Sequence, residues 1–256
     1  GVIFVLNFEV QAKELSEIED KYDAIFLGLG TYESIKGDYK GFEKDGIVEA
    51  LPYLTENTKY LMDENDALSM DFKNQRVVVL GGGDTAMDCV RTALRQGAKK
   101  VTCVYRRDFE NMPGSRKEVK HAMEEGVEFL FNHQIIEAKG DDKLSELIAE
   151  ETELFGNDGS GRKKPKVKEG TQKKIELDKL VIAFGYQASP QEFFTNKKIN
   201  VDDWGLIQLN NDKFKYQTSN EKYFAGGDMI IGSSLAVYCL LYTSDAADEH
   251  SCGGLG

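Results

Sequence analysis

Residues 76–107 constrain this chain more than any other stretch. Arg76-Val-Val-Val-Leu80 is a short, β-branched apolar run, the pattern of a parallel strand buried on both faces. Gly81-Gly82-Gly83-Asp84-Thr85-Ala86 follows at once and fits Gly-x-Gly-x-x-Ala. Met87, Val90, Ala93 and Leu94 then recur at helical spacing, and Gly97 is placed to stop that helix. Val101 to Tyr105 reads as a second strand. Strand, glycine turn, helix and strand in this order make a βαβ unit, the context in which the string acts as a dinucleotide fingerprint. The alternative is an ordinary Gly-rich turn of a doubly wound sheet.

Each position of the fingerprint has a physical reason. Gly81 permits a tight turn from strand to helix. Gly83 lacks a Cβ, so backbone can approach a pyrophosphate. Ala86 is small enough for close packing of helix on strand. The helix that opens near Asp84 aims free N–H groups and its positive dipole end at the phosphates.

The tip of the second strand selects the nucleotide. An acidic residue there suits a free ribose 2′-hydroxyl. Here Arg106 and Arg107 occupy the tip, and Arg116 lies further along. Guanidinium groups match a 2′-phosphate in charge and fork geometry, so these three are candidates for NADPH selection. The alternative for the Arg-Arg pair is a solvated surface. Asp108 is expected to orient an arginine rather than to bind a ribose.

Composition narrows the function classes. A formal net charge of −12 argues against a nucleic-acid partner. A hydrophobic fraction of 41 % over 256 residues supports one large or two modest cores. No apolar run approaches the roughly 20 residues that a membrane span needs. Cys89, Cys103, Cys239 and Cys252 contain no Cys-x-x-Cys pair, which argues against a dithiol, zinc or iron–sulfur site built by these residues. Cys89 and Cys103 read as small core residues, in keeping with a reducing cytoplasm. His121, His133 and His250 share no metal-ligand spacing.

Taken in order, residues 1–6 are apolar and read as a strand. Asp23 to Leu27 is a buried strand running into Gly28-Leu29-Gly30, and strand ends are where open α/β sheets hold ligands. Residues 32–46 read as a loop. Ile47 to Met62 reads as one helix with Pro52 in an early turn. Asp63 to Gln75 is a polar connector and the first expected domain boundary. Ser115 and Glu118 fit a capping box. Residues 139–175 read as β-hairpins, with the basic run Arg162 to Lys168 as a solvated loop or, alternatively, a partner contact. Leu180 to Phe184 is a strand ending at Gly185, the second boundary. Trp204 to Leu209 suggests a short hairpin. Tyr223-Phe-Ala-Gly-Gly227-Asp228 puts a carboxylate at a strand end, suited to sugar or ribityl hydroxyls.

Several of these segments together resemble the small (β) subunit of NADPH-dependent glutamate synthase and its close relatives. They are Gly81 to Asp88, Tyr105-Arg-Arg-Asp-Phe-Glu-Asn-Met-Pro-Gly-Ser-Arg116 to Val119, Phe26 to Tyr32 and Phe224 to Met229. The resemblance runs from about residue 1 to about residue 233. It implies an α/β, two-domain FAD/NAD(P)-binding (Rossmann-like) flavoprotein fold. Residues 1–72 and 187–233 would be FAD-domain pieces and residues 73–186 an NADPH-binding insertion. NADPH would reduce FAD, and electrons would pass through iron–sulfur clusters to a large subunit that makes glutamate from glutamine and 2-oxoglutarate. Gly81, Gly82, Gly83, Asp84, Thr85 and Ala86 would hold the NADPH diphosphate, and Arg106, Arg107 and Arg116 its 2′-phosphate. Gly185 would belong to the cofactor sites, and Gly28, Gly30, Gly227 and Asp228 would touch FAD. No catalytic side chain and no metal ligand is implied.

The family begins with a Cys-rich cluster domain and an FAD fingerprint, and neither stands in this sequence. The resemblance therefore implies a fragment, with the FAD domain incomplete at both ends. Residues 234–256 depart from the family and are expected to be a non-native tail. Two other functions fit the same residues. One is the NADPH-oxidising subunit of another iron–sulfur flavoprotein, of the ferredoxin–NADP oxidoreductase or dihydropyrimidine dehydrogenase type. The other is a non-catalytic nucleotide-binding module.

Overall fold

The computed structural model describes residues 1–37, 39–159, 161–210 and 214–234. The expected tail lies outside these residues apart from Ser234. Two compact units emerge, one of residues 1–33 with the chain from Tyr186 onward, the other of Ser34–Gly185. The first unit opens with helix α1 (Ala12–Lys21) and strand β1 (Ile25–Leu27), and β2 (Glu33–Ser34) leads out of it. The second unit contains β3 (Ile47–Glu49), α2 (Ala50–Leu61), β4 (Arg76–Leu80), α3 (Asp84–Arg95), β5 (Lys100–Tyr105), α4 (Arg116–Glu124) and β6 (Glu128–Phe131). It continues with β7 (His133–Lys139), β8 (Glu146–Phe155), β9 (Lys164–Val167), β10 (Lys173–Glu176) and β11 (Lys179–Ile182). The chain returns to the first unit with β12 (Tyr186–Gln187), α5 (Phe193–Asn196), β13 (Tyr223–Ala225) and α6 (Asp228–Ile231).

In the second unit a parallel sheet runs in the order β3-β11-β4-β5-β6. Every residue from Val77 to Leu80 is buried because both faces of this sheet are covered. The pleat alternates them. Val77 and Val79 join Met87, Val90, Val119 and Tyr53 in the cluster beneath the helices. Val78 and Leu80 point the other way, into a cluster with Ile135 of β7, Leu147 of β8 and Leu177 just after β10. The unit is thus three layers: helices, parallel sheet and antiparallel sheet. In the first unit β1 pairs parallel with β13, and Leu15, Leu27, Tyr223 and Met229 form its core. Among the described residues no helix is long and apolar enough to cross a membrane.

Several sequence expectations change. The first domain boundary falls at 33/34 rather than 72/73. The reason is Tyr53 of α2, which stacks on Phe72 at 4.5 Å inside the same core as Val77 and Val79. The compact units divide again at 185/186. Residues 1–6 form no strand. Their side chains are exposed, and no strand beside them takes up their backbone groups among the described residues. Ile47–Glu49 leaves the expected helix to become the edge strand beside β11, since a short apolar run satisfies either period. The capping box is not made. Ser115 supplies no side-chain cap, and Glu118 turns to the Arg91 guanidinium. The Trp204 hairpin reduces to one antiparallel bridge, Val201 to Ile207.

The start of β4 is clamped to the residue before β11. Asp178 accepts the Arg76 backbone N–H at 2.8 Å and its guanidinium at 3.1 and 2.8 Å. Arg76 holds the Asp178 carboxyl below its usual value of 3.8. A depressed folded-state pKa means stability that is present above the unfolded value and is lost as pH falls through the folded value. Both groups are partly exposed, so Asp178→Asn should cost only about 1 kcal/mol near neutral pH. Denaturant unfolding across pH should show that gap closing once pH falls below 3.8. A gap that persists unchanged far below that value counts against the clamp.

Candidate functional site

The glycine turn after β4 carries the geometry of a phosphate cradle. Gly81 adopts φ +148°, and a Cβ there would lie 2.2 Å from the Ala183 carbonyl oxygen. The ends of β4 and β11 could not approach so closely around any larger residue. Gly83 is the N-cap of α3, and nothing lies within 4 Å of where its Cβ would be. Its open side leaves room for a ligand to reach the backbone, and α3 brings the positive end of its dipole there. Ala86 is fully buried against the sheet. The turn is braced from one side. Gly114 donates its N–H to the Gly82 carbonyl at 2.9 Å, and the Ser115 N–H donates to Asp84 Oδ1 at 2.7 Å.

A cleft of about 490 Å³ opens above this turn. Gly81, Gly82, Gly83 and Thr85 form its floor, with Arg106 and Arg107 at one side. Ala183, Phe184 and Gly185 contribute from the end of β11, and His133 to Ile135 from the start of β7. Ile35, Lys36, Gly37 and Tyr39 form a further wall. That wall is tied down: the Ile35 N–H donates to the Gly185 carbonyl at 3.0 Å, and Lys36 pairs with Glu49 at 2.9 Å. Tyr39 packs on Phe42 at 4.8 Å between ring centroids. Burial pushes the Tyr39 phenol above its usual range, and the Arg106 charge pulls against that shift.

The three candidate arginines part company. Arg106 is exposed in the cleft and its guanidinium makes no hydrogen bond or ion pair to a described residue. Arg107 is only 5 % exposed. It donates Nε to the Lys163 carbonyl at 2.6 Å and a terminal nitrogen to Asp158 Oδ2 at 2.8 Å. Arg116 does not reach the cleft lining. It lies over the Phe109 ring at 4.3 Å and donates to the Phe109 and Glu110 carbonyls. Asp108 orients no arginine; its Oδ1 accepts the Asn111 backbone and side-chain N–H groups at 2.9 and 2.6 Å.

In the first unit the parallel pairing of β1 and β13 sets Gly28-Leu29-Gly30 beside Gly226-Gly227-Asp228, with the Gly226 N–H donating to the Leu27 carbonyl at 3.2 Å. Asp228 opens α6 with Gly227 as its N-cap. A second cavity of about 340 Å³ is lined by Leu29, Gly30, Tyr32, Phe194 and Met229 among others. Gly28, Gly227 and Asp228 stand at the same strand ends but outside that lining. Gly185, by contrast, lines the cleft of the second unit.

Tested against the groups expected here, the second unit fits NADPH: an open glycine at a helix N-terminus and an uncommitted guanidinium share one cleft. The first unit offers strand ends and a carboxylate suited to a flavin's ribityl hydroxyls, but the sequence holds only one Gly-x-Gly-x-x-Ala cradle, in the second unit. No group of His, Cys, Asp and Glu able to hold a metal occurs among the described residues. Sequence reasoning missed the wall of Ile35, Lys36, Gly37 and Tyr39 and missed Arg162, all in the cleft lining. A polar, glycine-containing loop carries no periodic signal that could have placed them.

Comparison with known proteins gives the same outline. A family model described as pyridine nucleotide-disulphide oxidoreductase matches residues 6–240. The glutamate synthase [NADPH] small chain of Halomonas elongata is 46 % identical over 243 residues, covering 93 % of this chain and 51 % of the relative. That of Escherichia coli is 45 % identical over 255 residues, covering 97 % and 54 %. The chain therefore spans about half the length of the curated relatives it matches. FprA of Mycobacterium tuberculosis, solved in complex with NADPH, superposes with a TM-score of 0.70 at 17 % identity, covering 96 % of this chain and 69 % of that one, and shares the fold.

The two glycines predict opposite behaviour. Gly81→Ala should destabilise the chain by about 2–4 kcal/mol, through positive φ and collision with Ala183. Gly83→Ala should change stability by less than about 1 kcal/mol but weaken dinucleotide binding at least tenfold, by filling the open approach. Thermal unfolding and nucleotide titration separate the two. Unchanged nucleotide affinity in Gly83→Ala would remove the cradle assignment.

Proposed function

The chain belongs to the pyridine nucleotide-disulphide oxidoreductase family, and on that premise we propose that it is the nucleotide-handling part of an NADPH-oxidising flavoprotein. In this reading the Ser34–Gly185 unit is the NADPH-binding domain and the other unit is part of an FAD domain. The nicotinamide supplies a hydride when bound, and the flavin is its acceptor. The chain's own residues bind and orient. The backbone of Gly81 to Ala86 and the N-terminus of α3 hold the diphosphate. Arg106 takes the 2′-phosphate as a charge-assisted pair. Gly185 supports the cleft floor. Gly28, Gly30, Gly227 and Asp228 serve the flavin, with Asp228 accepting hydrogen bonds from its ribityl chain. Orientation of two cofactors rather than side-chain proton transfer is what such a protein must supply, so no catalytic residue is assigned.

For the longer protein, we propose the role of a glutamate synthase small chain. Electrons from NADPH would pass through iron–sulfur clusters to a large subunit that forms glutamate from glutamine and 2-oxoglutarate. The support is identity of 45–46 % to two proteins named as such small chains. A cytoplasmic setting suits the chemistry and the two buried cysteines. Both are free thiols, and burial pushes Cys103 up to about 12, where it is inert at neutral pH.

One observation carries the NADPH reading: Arg106 lines the same cleft as the open Gly83, and its guanidinium makes no hydrogen bond or ion pair among the described residues. In titrations of the chain, NADPH should bind more tightly than NADH. Arg106→Ala should remove about ten- to a hundredfold of NADPH affinity and leave NADH unchanged. Equal binding of the two nucleotides by the unmodified chain would overturn the assignment. A protein spanning the full length of the curated relatives should copurify with a flavin that bleaches on adding NADPH, whereas a non-catalytic module would not.

A further inference from the structure

His133 lines the nucleotide cleft, and neither the diphosphate cradle nor the 2′-phosphate site uses it. Its place follows from the sheet. β5 and β6 pair in parallel with Tyr105 opposite Phe131, so the chain leaving β6 emerges beside Arg106. Hydrogen bonds fix that corner. Asn132, at φ +53°, donates its N–H to the Arg107 carbonyl at 3.0 Å, and the Thr152 hydroxyl of β8 donates to the Arg106 carbonyl at 2.8 Å. His133 opens β7 directly after the corner, and Ile135 adds apolar surface to the same wall. The imidazole has one nitrogen committed: Nδ1 lies 2.7 Å from the Phe131 carbonyl oxygen. A carbonyl oxygen only accepts, so Nδ1 carries the hydrogen and Nε2 of the neutral ring keeps its lone pair. Nε2 makes no hydrogen bond or ion pair to a described residue, and it is not sealed away from solvent.

We infer that the start of β7 is the wall that reads the base of the nucleotide, with His133 Nε2 accepting a hydrogen bond from the 6-amino group of adenine. The inference rests on the NADPH reading above and deepens it, adding the base to the two phosphate sites. The direction of the ligand carries the argument. A βαβ cradle holds the diphosphate at the turn after its first strand and the ribose at the tip of its second. Here those strands are β4 and β5, and β6 is the next in the sheet. The base hangs from the ribose carbon next to the 2′ position. A nucleotide laid from β4 to β5 therefore carries its base on toward the corner after β6, where His133 stands. The lone pair on Nε2 then has a chemical consequence. Adenine presents an N–H donor at position 6, whereas hypoxanthine presents a carbonyl oxygen there. One acceptor suits the first and opposes the second.

Titration of the chain with adenosine 2′,5′-bisphosphate and inosine 2′,5′-bisphosphate isolates the base, because the two probes carry the same phosphates. The unmodified chain should bind the adenosine probe about tenfold more tightly. His133→Leu should lower adenosine-probe affinity to that of the inosine probe and leave inosine-probe affinity where it was. Equal binding of the two probes by the unmodified chain overturns the inference, as does a preference that survives His133→Leu. A substitution that weakens both probes in parallel marks His133 as structural and overturns it too. Nitrogen-15 NMR of the unmodified chain tests the same point without a variant. Nε2 should be the unprotonated ring nitrogen near neutral pH, and its resonance should move when the adenosine probe is added. A ring protonated at Nε2 instead of Nδ1, or an Nε2 signal unmoved at saturation, overturns the inference. The NADPH reading fails separately, if adenosine 2′,5′-bisphosphate binds no more tightly than 5′-AMP; a 2′-phosphate preference without discrimination between the bases defeats only the present inference.

Discussion

The near-contact of Gly81 with the Ala183 carbonyl governs the second unit. Two parallel strands end side by side there, and only a residue without a Cβ lets β4 turn away under the carbonyl of its neighbour. That turn sets the start of α3, and so the direction in which the helix aims its unpaired N–H groups. Tyr105, which fills the position opposite Gly82, and the Gly114–Ser115 turn brace the loop from the far side. A glycine turn alone is flexible. Held between a carbonyl, an aromatic ring and the backbone N–H groups of Gly114 and Ser115, which donate to the Gly82 carbonyl and to Asp84 Oδ1, this one is a fixed cradle.

Charge is arranged against the overall balance. The chain carries a formal −12, yet the cleft collects Lys36, Arg106, Arg107 and Arg162. Glu49 pairs with Lys36, and Asp158 with both Arg107 and Arg162, which fixes their positions. The surrounding acidity discourages unspecific polyanions, and the local cations favour one small anion that fits between them. Selectivity of this kind depends on which cations are left uncommitted, and that is a property of tertiary structure.

That distinction marks where the sequence was legible. The βαβ unit was readable because Val77 to Leu80, the glycines and the Met87–Val90–Ala93 stripe all agree on one local structure. The candidacy of Gly83 rested on its offset, and the structure shows its Cβ side open. The fates of Arg106 and Arg107 did not. They are adjacent, and adjacent residues at a strand end leave on different sides, one to the cleft and one into a buried pair with a residue some fifty positions away. Arg116 fits the motif spacing but is captured locally by Phe109 and Glu110. The domain boundary was misplaced for a related reason. The connector after α2 is polar like a linker, while Phe72 within it is buried against Tyr53. The pairing of β1 with β13 joins two distant glycine-ended strands whose shared chemistry was visible, but whose contact was not.

The most direct test is amide NMR of the chain titrated with adenosine 2′,5′-bisphosphate and, separately, with 5′-AMP. The account predicts that both ligands shift the backbone amides of Gly83 to Ala86, and that only the bisphosphate shifts the guanidinium resonance of Arg106. Shifts confined to residues outside the cleft, with Gly83 and Arg106 unmoved at saturation, would contradict it.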